Sequence, residues 1–389
     1  MKSNTAVRTT LRLLPLALTL LSLAPLHAQV DVNVSTIPQV GISIGGGSGS
    51  GAAQILANDL KRTGMMLPVL GGTGQYQATG TADAGGVTGS LLNKRSGQTL
   101  FSQTFSGSTR AATHQFADAI TQAVTGLPGF ASSKLAFVSG NGMSKELWYG
   151  DIDGYGTRPI THDNTDSASP SLSRDASHLA YSSYKSGYLD TYVIDLSSGS
   201  RNRVAFFPGI NSGASFSPDG STLALTLSKD GNPEIYTIPV EGGSPNRITR
   251  TRGSETSPAW SPDGSQLVFC SDDRGTPQLY ISTSQGAGDW DHLVTGNSYC
   301  TKPDWSPDGK LIAFTARVGG EFQIGVYSLA TRTANLVTTS GGEDPAWTRD
   351  SRHLVYADNG RLALLDTATG KSLSIPVATS SCSEPTVSR

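Results

Sequence analysis

One short turn recurs through the C-terminal part of this chain and limits what it can fold into. It stands at Phe216-Ser217-Pro218-Asp219-Gly220, at Trp260-Ser261-Pro262-Asp263-Gly264 and at Trp305-Ser306-Pro307-Asp308-Gly309. Looser copies stand at Leu172-Ser173-Arg174-Asp175 and Trp347-Thr348-Arg349-Asp350. The five aspartates fall 44, 44, 45 and 42 residues apart. A period in the low forties with strand-rich contents is the mark of propeller blades. Each copy reads as a hairpin turn. An aromatic residue or Leu ends one strand, Pro sets φ at the second turn position, Asp bonds back to the backbone and Gly accepts positive φ. Five aspartates in five copies would be redundant as catalysts, so they read as scaffold.

An apolar run follows each turn and reads as the second strand of a blade. Six such runs exist: Leu135-Ala136-Phe137, Leu179-Ala180-Tyr181, Leu223-Ala224-Leu225, Leu267-Val268-Phe269, Leu311-Ile312-Ala313-Phe314 and Leu354-Val355-Tyr356. The first has no first strand before it. The C-terminus supplies one, because Glu384-Pro385-Thr386-Val387-Ser388 matches Ser257-Pro258-Ala259-Trp260-Ser261. Strand 384–388 is therefore expected to close the ring and remove its sheet edges. The fold class expected is mostly β: a six-bladed propeller over 131–389, preceded by a small α/β domain.

Composition agrees with this reading. The chain has 45 Gly among 389 residues and only 15% charged residues, which suits many turns. Its net charge of −2 and lack of a basic run argue against nucleic acid as a partner. Residues 1–28 read as a cleavable signal peptide, with Lys2, Arg8 and Arg12 before the apolar run Leu13 to Ala24 and a small-residue site at Leu26-His27-Ala28. No Cys follows that run, which argues against a lipid anchor, and the mature chain is expected to be soluble. Residues 29–130 form the α/β domain. Val30, Val32 and Val34 alternate, as do Val40, Ile42 and Ile44, so strand is expected there. Gly45 to Gly51 reads as a connector, since it lacks the Gly-Lys-Ser/Thr ending of a phosphate loop. Helices are expected over Ala52 to Thr63 and from Ser108 or Thr109 to Thr125. Met66 to Leu70, Val87 to Leu92 and Thr99 to Phe105 read as strands, and 71–86 as loop. His114 falls off the apolar stripe of the second helix and is expected on its solvated surface.

Catalysis finds little support. Propellers that cap serine hydrolases need a separate domain with Gly-x-Ser-x-Gly, and this chain has no such pentapeptide. Of the six histidines only His162 stands clearly near the loop-rich face, which is weak support for a lyase or hydrolase working there. Cys270, Cys300 and Cys382 lack metal-ligand spacing and are expected as buried thiols or one disulfide, with Cys270 and Cys300 placed to meet. No metal or cofactor is expected.

The chain resembles the TolB family. The order of segments carries the resemblance: a signal peptide, a small α/β domain, then a six-bladed propeller with Ser-Pro-Asp-Gly turns. So do Asn58-Asp59-Leu60-Lys61-Arg62-Thr63-Gly64, the segment Gly89 to Gly107, the linker Gly126 to Phe130 and Asp151-Ile152-Asp153-Gly154-Tyr155. The resemblance implies a monomeric, non-enzymatic periplasmic scaffold of the Tol-Pal system that supports outer-membrane integrity during cell constriction. It would bind the lipoprotein Pal at the propeller mouth and TolA through the mature N-terminal segment. Matched by motif, the Pal-facing positions fall on Ile210, Asn211, Gly213, Thr256 and Ser257. Ile210 stands where the family usually has His, and Ser257 where it has an acidic residue. The TolA-contacting strand falls on Val30, Asp31, Val32, Asn33 and Val34. Reading the loops alone adds Glu255, His162, Lys302 and Glu343 to the same rim, among acidic neighbours that include Asp344 and Glu384. A TolB-like propeller that takes another envelope ligand, such as a glycan, is the alternative.

Overall fold

A computed structural model describes residues 37–141, 144–286 and 289–389. The leader 1–28 and the expected TolA-contacting residues 30–34 lie outside the described residues. The α/β domain holds β1 (Gln39–Gly45), α1 (Gly49–Arg62), β2 (Leu67–Leu70), β3 (Tyr76–Asp83), β4 (Gly86–Asn93), β5 (Gln98–Ser106) and α2 (Thr109–Thr125). The sheet order is β2-β1-β3-β4-β5, with β1 parallel to both neighbours and the rest antiparallel. Both helices pack against the sheet and against each other. Leu56, Leu60, Phe116 and Ile120 meet Val40, Ile42, Val87 and Leu91 in one core. Gly89 makes room for α2, since a Cβ there would stand 2.6 Å from the Phe116 ring.

The expected loop at 71–86 is corrected by β3, which is the central strand. Its buried face is Ala78 and Ala82, at 0% and 1% exposure. Two alanines give too weak an alternation to signal a strand in sequence, and tertiary packing decides it. Ser108 caps α2 by accepting from the Ala111 N–H at 3.3 Å, and Gly126 ends it with φ 77°.

The remaining strands form six four-stranded antiparallel sheets. Their innermost strands are Ser167–Leu172, Asn211–Phe216, Glu255–Trp260, Cys300–Trp305, Glu343–Trp347 and Cys382–Val387. Each touches the next, and the last touches the first, so the sheets close a ring. We number the blades I to VI in chain order, blade I being the one that Cys382–Val387 completes. That strand pairs with Lys134–Asn141 in the register Val387↔Leu135 and Thr386↔Ala136. Phe137, Tyr181, Leu225, Phe269 and Phe314 hold equivalent second-strand places and are 0% exposed. Each such side chain contributes about 1.5–3 kcal/mol by burial between blades.

The repeated turn has the expected geometry and one addition. Gly220, Gly264 and Gly309 take φ of 74°, 74° and 77°, and Ala176 and Ser351 take 56° in the looser copies. The addition is the Ser that opens the turn. Ser261 Oγ donates to Asp263 at 2.6 Å and accepts from the Gln266 N–H at 2.9 Å. Ser217 and Ser306 do the same in neighbouring blades. These bonds hold Asp263 down to about 2, the Ser261 hydroxyl first and the Ser265 N–H next. Ser261 is 3% exposed. Ser261→Ala should therefore lower stability by about 1–2 kcal/mol, because the Gln266 N–H loses its acceptor. Urea denaturation would read this as a lower midpoint at unchanged slope. An unmoved midpoint would mean that backbone bonds alone hold the turn.

All three cysteines are buried free thiols. Cys270 and Cys300 do meet, but the Cys270 thiol donates to the Cys300 carbonyl at 3.3 Å. Burial pushes Cys270 up to about 12 and Cys300 up to about 11, which keeps both unreactive.

Candidate functional site: the propeller mouth

Every innermost strand carries a bulge near its start, seen as a register shift against the second strand. The residue at the bulge is left-handed in all six blades. Ser169, Gly213, Ser257, Lys302, Asp344 and Glu384 have φ of 51°, 63°, 55°, 50°, 54° and 50°. Proline follows in five of them, at Pro170, Pro258, Pro303, Pro345 and Pro385. Proline has no N–H to leave unpaired where the ladder breaks, so it suits the position. Five of the six left-handed residues are not glycine, and each costs about 1–2 kcal/mol of backbone strain. Strain repeated in every blade marks a built feature. These six residues line one cavity of about 140 Å³ at the channel mouth.

The ring is lopsided. Ser169, Gly213 and Ser257 form a small, neutral half. Lys302, Asp344 and Glu384 form a charged half. Lys302 Nζ lies 3.2 Å from Glu384 and 3.9 Å from Asp344. Glu384 Oε2 also accepts from the Ser169 N–H at 2.9 Å, which ties the two halves together. Burial works against the Lys302 charge, but Glu384 and Asp344 outweigh it and hold the ammonium above its usual range. Burial and Asp344 push the neighbouring Glu343 carboxyl up.

The structure sorts the expected residues into three groups. Gly213, Ser257 and Lys302 stand on the ring. Ile210, His162 and Glu343 are exposed and Thr256 is half-buried, and none of the four lines the cavity. Asn211 and Glu255 are 0% exposed and do not present their side chains at the surface. Asn211 holds the loop before its strand, donating to the Phe207 and Leu189 carbonyls at 2.8 and 3.1 Å. Glu255 accepts from Thr251 Oγ1 at 2.8 Å and from Ser271 Oγ at 2.6 Å. It lies against the equally buried Glu234, which pairs with Arg247 at 2.8 Å. Burial raises Glu255 to about 7, and Glu234 adds to the rise. Ser169 was missed in sequence. The signal was present, since Ser169-Pro170 aligns with Ser257-Pro258.

A second polar cluster joins the α/β domain to the propeller, and it corrects the expectation for His114. That side chain is 3% exposed. Its Nδ1 lies 2.7 Å from Asp59, also buried, and its Nε2 lies 3.7 Å from Asp151 of blade I. Arg110 reaches Asp151 at 2.9 Å and also pairs with Asp153. Asp118 accepts from the Ala131 N–H at 2.6 Å. Arg110, His114 and Asp118 are spaced by four on α2, so this helix docks a polar stripe on the propeller. His114, Asp151 and Asp153 come close enough to suggest a cation site. Arg110 and Lys134 already satisfy those carboxylates, Lys134 at 2.5 Å from Asp151. Burial opposes the His114 charge, but its two carboxylate partners raise it to about 9.

Residues 121–389 match the family described as TolB beta propeller domain. A Tol-Pal system protein TolB from Chromobacterium violaceum is 40% identical over 103 residues, 26% of this chain and 24% of that protein. One from Xylella fastidiosa is 37% identical over 107 residues, with the same coverage of each chain. The match therefore spans about a quarter of the length of these curated relatives. The crystal structure of TolB from Acinetobacter baumannii superposes with a TM-score of 0.80 at 28% identity, covering 90% of this chain and 96% of that one.

Proposed function

This chain belongs to the TolB β-propeller domain family, and we propose that it is a non-catalytic binding protein of the periplasmic Tol-Pal system. Its propeller mouth takes a Pal-type lipoprotein, and the segment Val30 to Val34 takes a TolA-type inner-membrane protein. Through these contacts it supports outer-membrane integrity during constriction. The observation that carries the reading is the ring of six left-handed bulge residues, which brings all six blades to one opening. The neutral half, Ser169, Gly213 and Ser257, leaves room for an inserted segment. The charged half offers it Lys302, Asp344 and Glu384 to pair with. Among the described residues no helix is long and apolar enough to cross a membrane.

Ser257→Arg tests the reading. The substitution puts a long side chain into the open half of the ring. It should weaken capture of a purified Pal-type lipoprotein by about tenfold or more, equivalent to about 1.4 kcal/mol. Deleting 30–34 should leave that capture intact and abolish capture of a TolA-type domain. A parent protein that captures neither partner would sink the proposal.

A further inference from the structure

A groove of about 520 Å³ runs along the seam between blades III and IV. It shares no lining residue with the mouth cavity. The outermost strand of blade III, Asn246–Arg247, is only two residues long, and Arg247 lines the groove.

The lining combines two guanidiniums and a buried hydroxyl with residues that also pack the blades. Arg250 and Arg274 have no hydrogen-bond or ion-pair partner for their guanidiniums among the described residues; Arg274 only lies over the Tyr280 ring, at 5.8 Å. Arg247 is committed elsewhere, to Glu234 at 2.8 Å. Tyr280 is 3% exposed, yet its buried hydroxyl has no partner among the described residues. Such a group is costly to leave unpaired, and native folds keep few of them. Trp290 stands edge-on to Phe269 and Tyr280, at 4.8 and 5.9 Å between ring centres. Asp273 and Asp289 add acceptors to the same groove.

Two free guanidiniums suit a carboxylate, whose oxygens accept paired N–H bonds. A part-exposed indole with a few placed polar groups suits the apolar C–H face of a hydroxylated sugar ring. The aspartates and the Tyr280 hydroxyl can bond to ring hydroxyls. We propose that this groove binds a carboxylate-bearing sugar, with its carboxylate at Arg250 and Arg274, its ring against Trp290 and a ring hydroxyl at the Tyr280 hydroxyl. The site is separate from the mouth and does not depend on what the mouth binds.

Titrating the purified protein with glucuronate, followed by tryptophan fluorescence and ligand-observed NMR, tests the proposal. Glucuronate should bind saturably, and glucose, which lacks the carboxylate, should bind about tenfold more weakly or worse. The exposed pair Arg250→Gln with Arg274→Gln should cost glucuronate about tenfold at unchanged melting temperature. Tyr280→Phe should raise the melting temperature of the free protein while weakening glucuronate. A hydroxyl with only a structural role would not give those opposite shifts. No saturable glucuronate binding, equal affinity for the two sugars, or full affinity in the double arginine variant would each overturn the proposal.

Discussion

Replacing His114 by alanine should destabilise the protein by about 3–5 kcal/mol, the usual cost of breaking a buried charge pair. The cost comes from what is left behind. Asp59 is 4% exposed, burial already pushes its carboxyl up against the pull of His114, and without His114 the charge of Arg62 is left to offset that burial. Asp151 keeps Arg110 and Lys134, so the loss falls mainly on Asp59. Guanidinium denaturation would read the change. A double-mutant cycle with Asp59→Asn should show the two losses to be far from additive, because the second substitution removes the stranded charge. A loss under about 1 kcal/mol would mean that the pair is neutral in the fold.

The same cluster sets a pH window. His114 is raised from 6.5 to about 9, so its contribution is complete below about 6.5 and is lost as pH rises through about 9. Asp151 is lowered from 3.8, despite its burial, by bonds to His114, Lys134 and Arg110, so its contribution is present above about 3.8 and fades as pH falls below that. The contributions of His114 and Asp151 are therefore both present from about pH 4 to 6.5, while burial raises Asp59 and Asp118, whose contributions are complete only below about 3.8. Loss of His114 should flatten the alkaline side of that profile.

Glu255 gives the second large effect, with pH dependence in the neutral range. Its carboxyl is raised from 4.5 to about 7, by burial first and by Glu234 as well. A raised acid is stabilised in its protonated form. Its contribution is complete below about 4.5 and is lost as pH rises through about 7, on the order of 1–3 kcal/mol in all. The groups that face the pair are Arg247, Asn232 and the Thr251 N–H on Glu234, and Thr251 Oγ1 and Ser271 on Glu255. Glu255→Gln keeps the shape and removes the titration. Its stability from pH 5 to 8 should fall less than that of the parent, and the two curves should cross. Parallel curves would show that Glu255 does not titrate in this range. The effect bears on the mouth, because Thr256 and Ser257 follow Glu255 directly.

The blade count, the turn and the closing strand were legible because each is local or repeated. Ser-Pro-Asp-Gly states its own backbone angles, and repetition at a fixed step turns a weak signal into a strong one. The bulge ring was half legible. Gly213, Ser257 and Lys302 were named from the sequence as positions on the rim, and the structure places them within the innermost strands. Their left-handed backbone was not legible, because it arises where a strand must turn into a crowded channel. Asn211 and Glu255 open two of the innermost strands, as the sequence placed them next to the mouth, but burial is a property of packing and not of order along the chain. β3 was missed because its buried face is two alanines. His114 was misplaced because a helix seen alone has one apolar stripe and treats everything else as surface.

The sequence by itself determined the repeat, the hairpin turns, the mostly-β class and the order of domain and propeller. Those follow from short-range backbone chemistry and from periodicity, which need no partner to be read. Only the tertiary structure decided that Arg110, His114 and Asp118 face the propeller, that Glu234 and Glu255 share a buried site, and that six bulges meet at one opening. Each of these joins residues from separate strands or helices, and burial and ion pairing exist only once those elements are brought together.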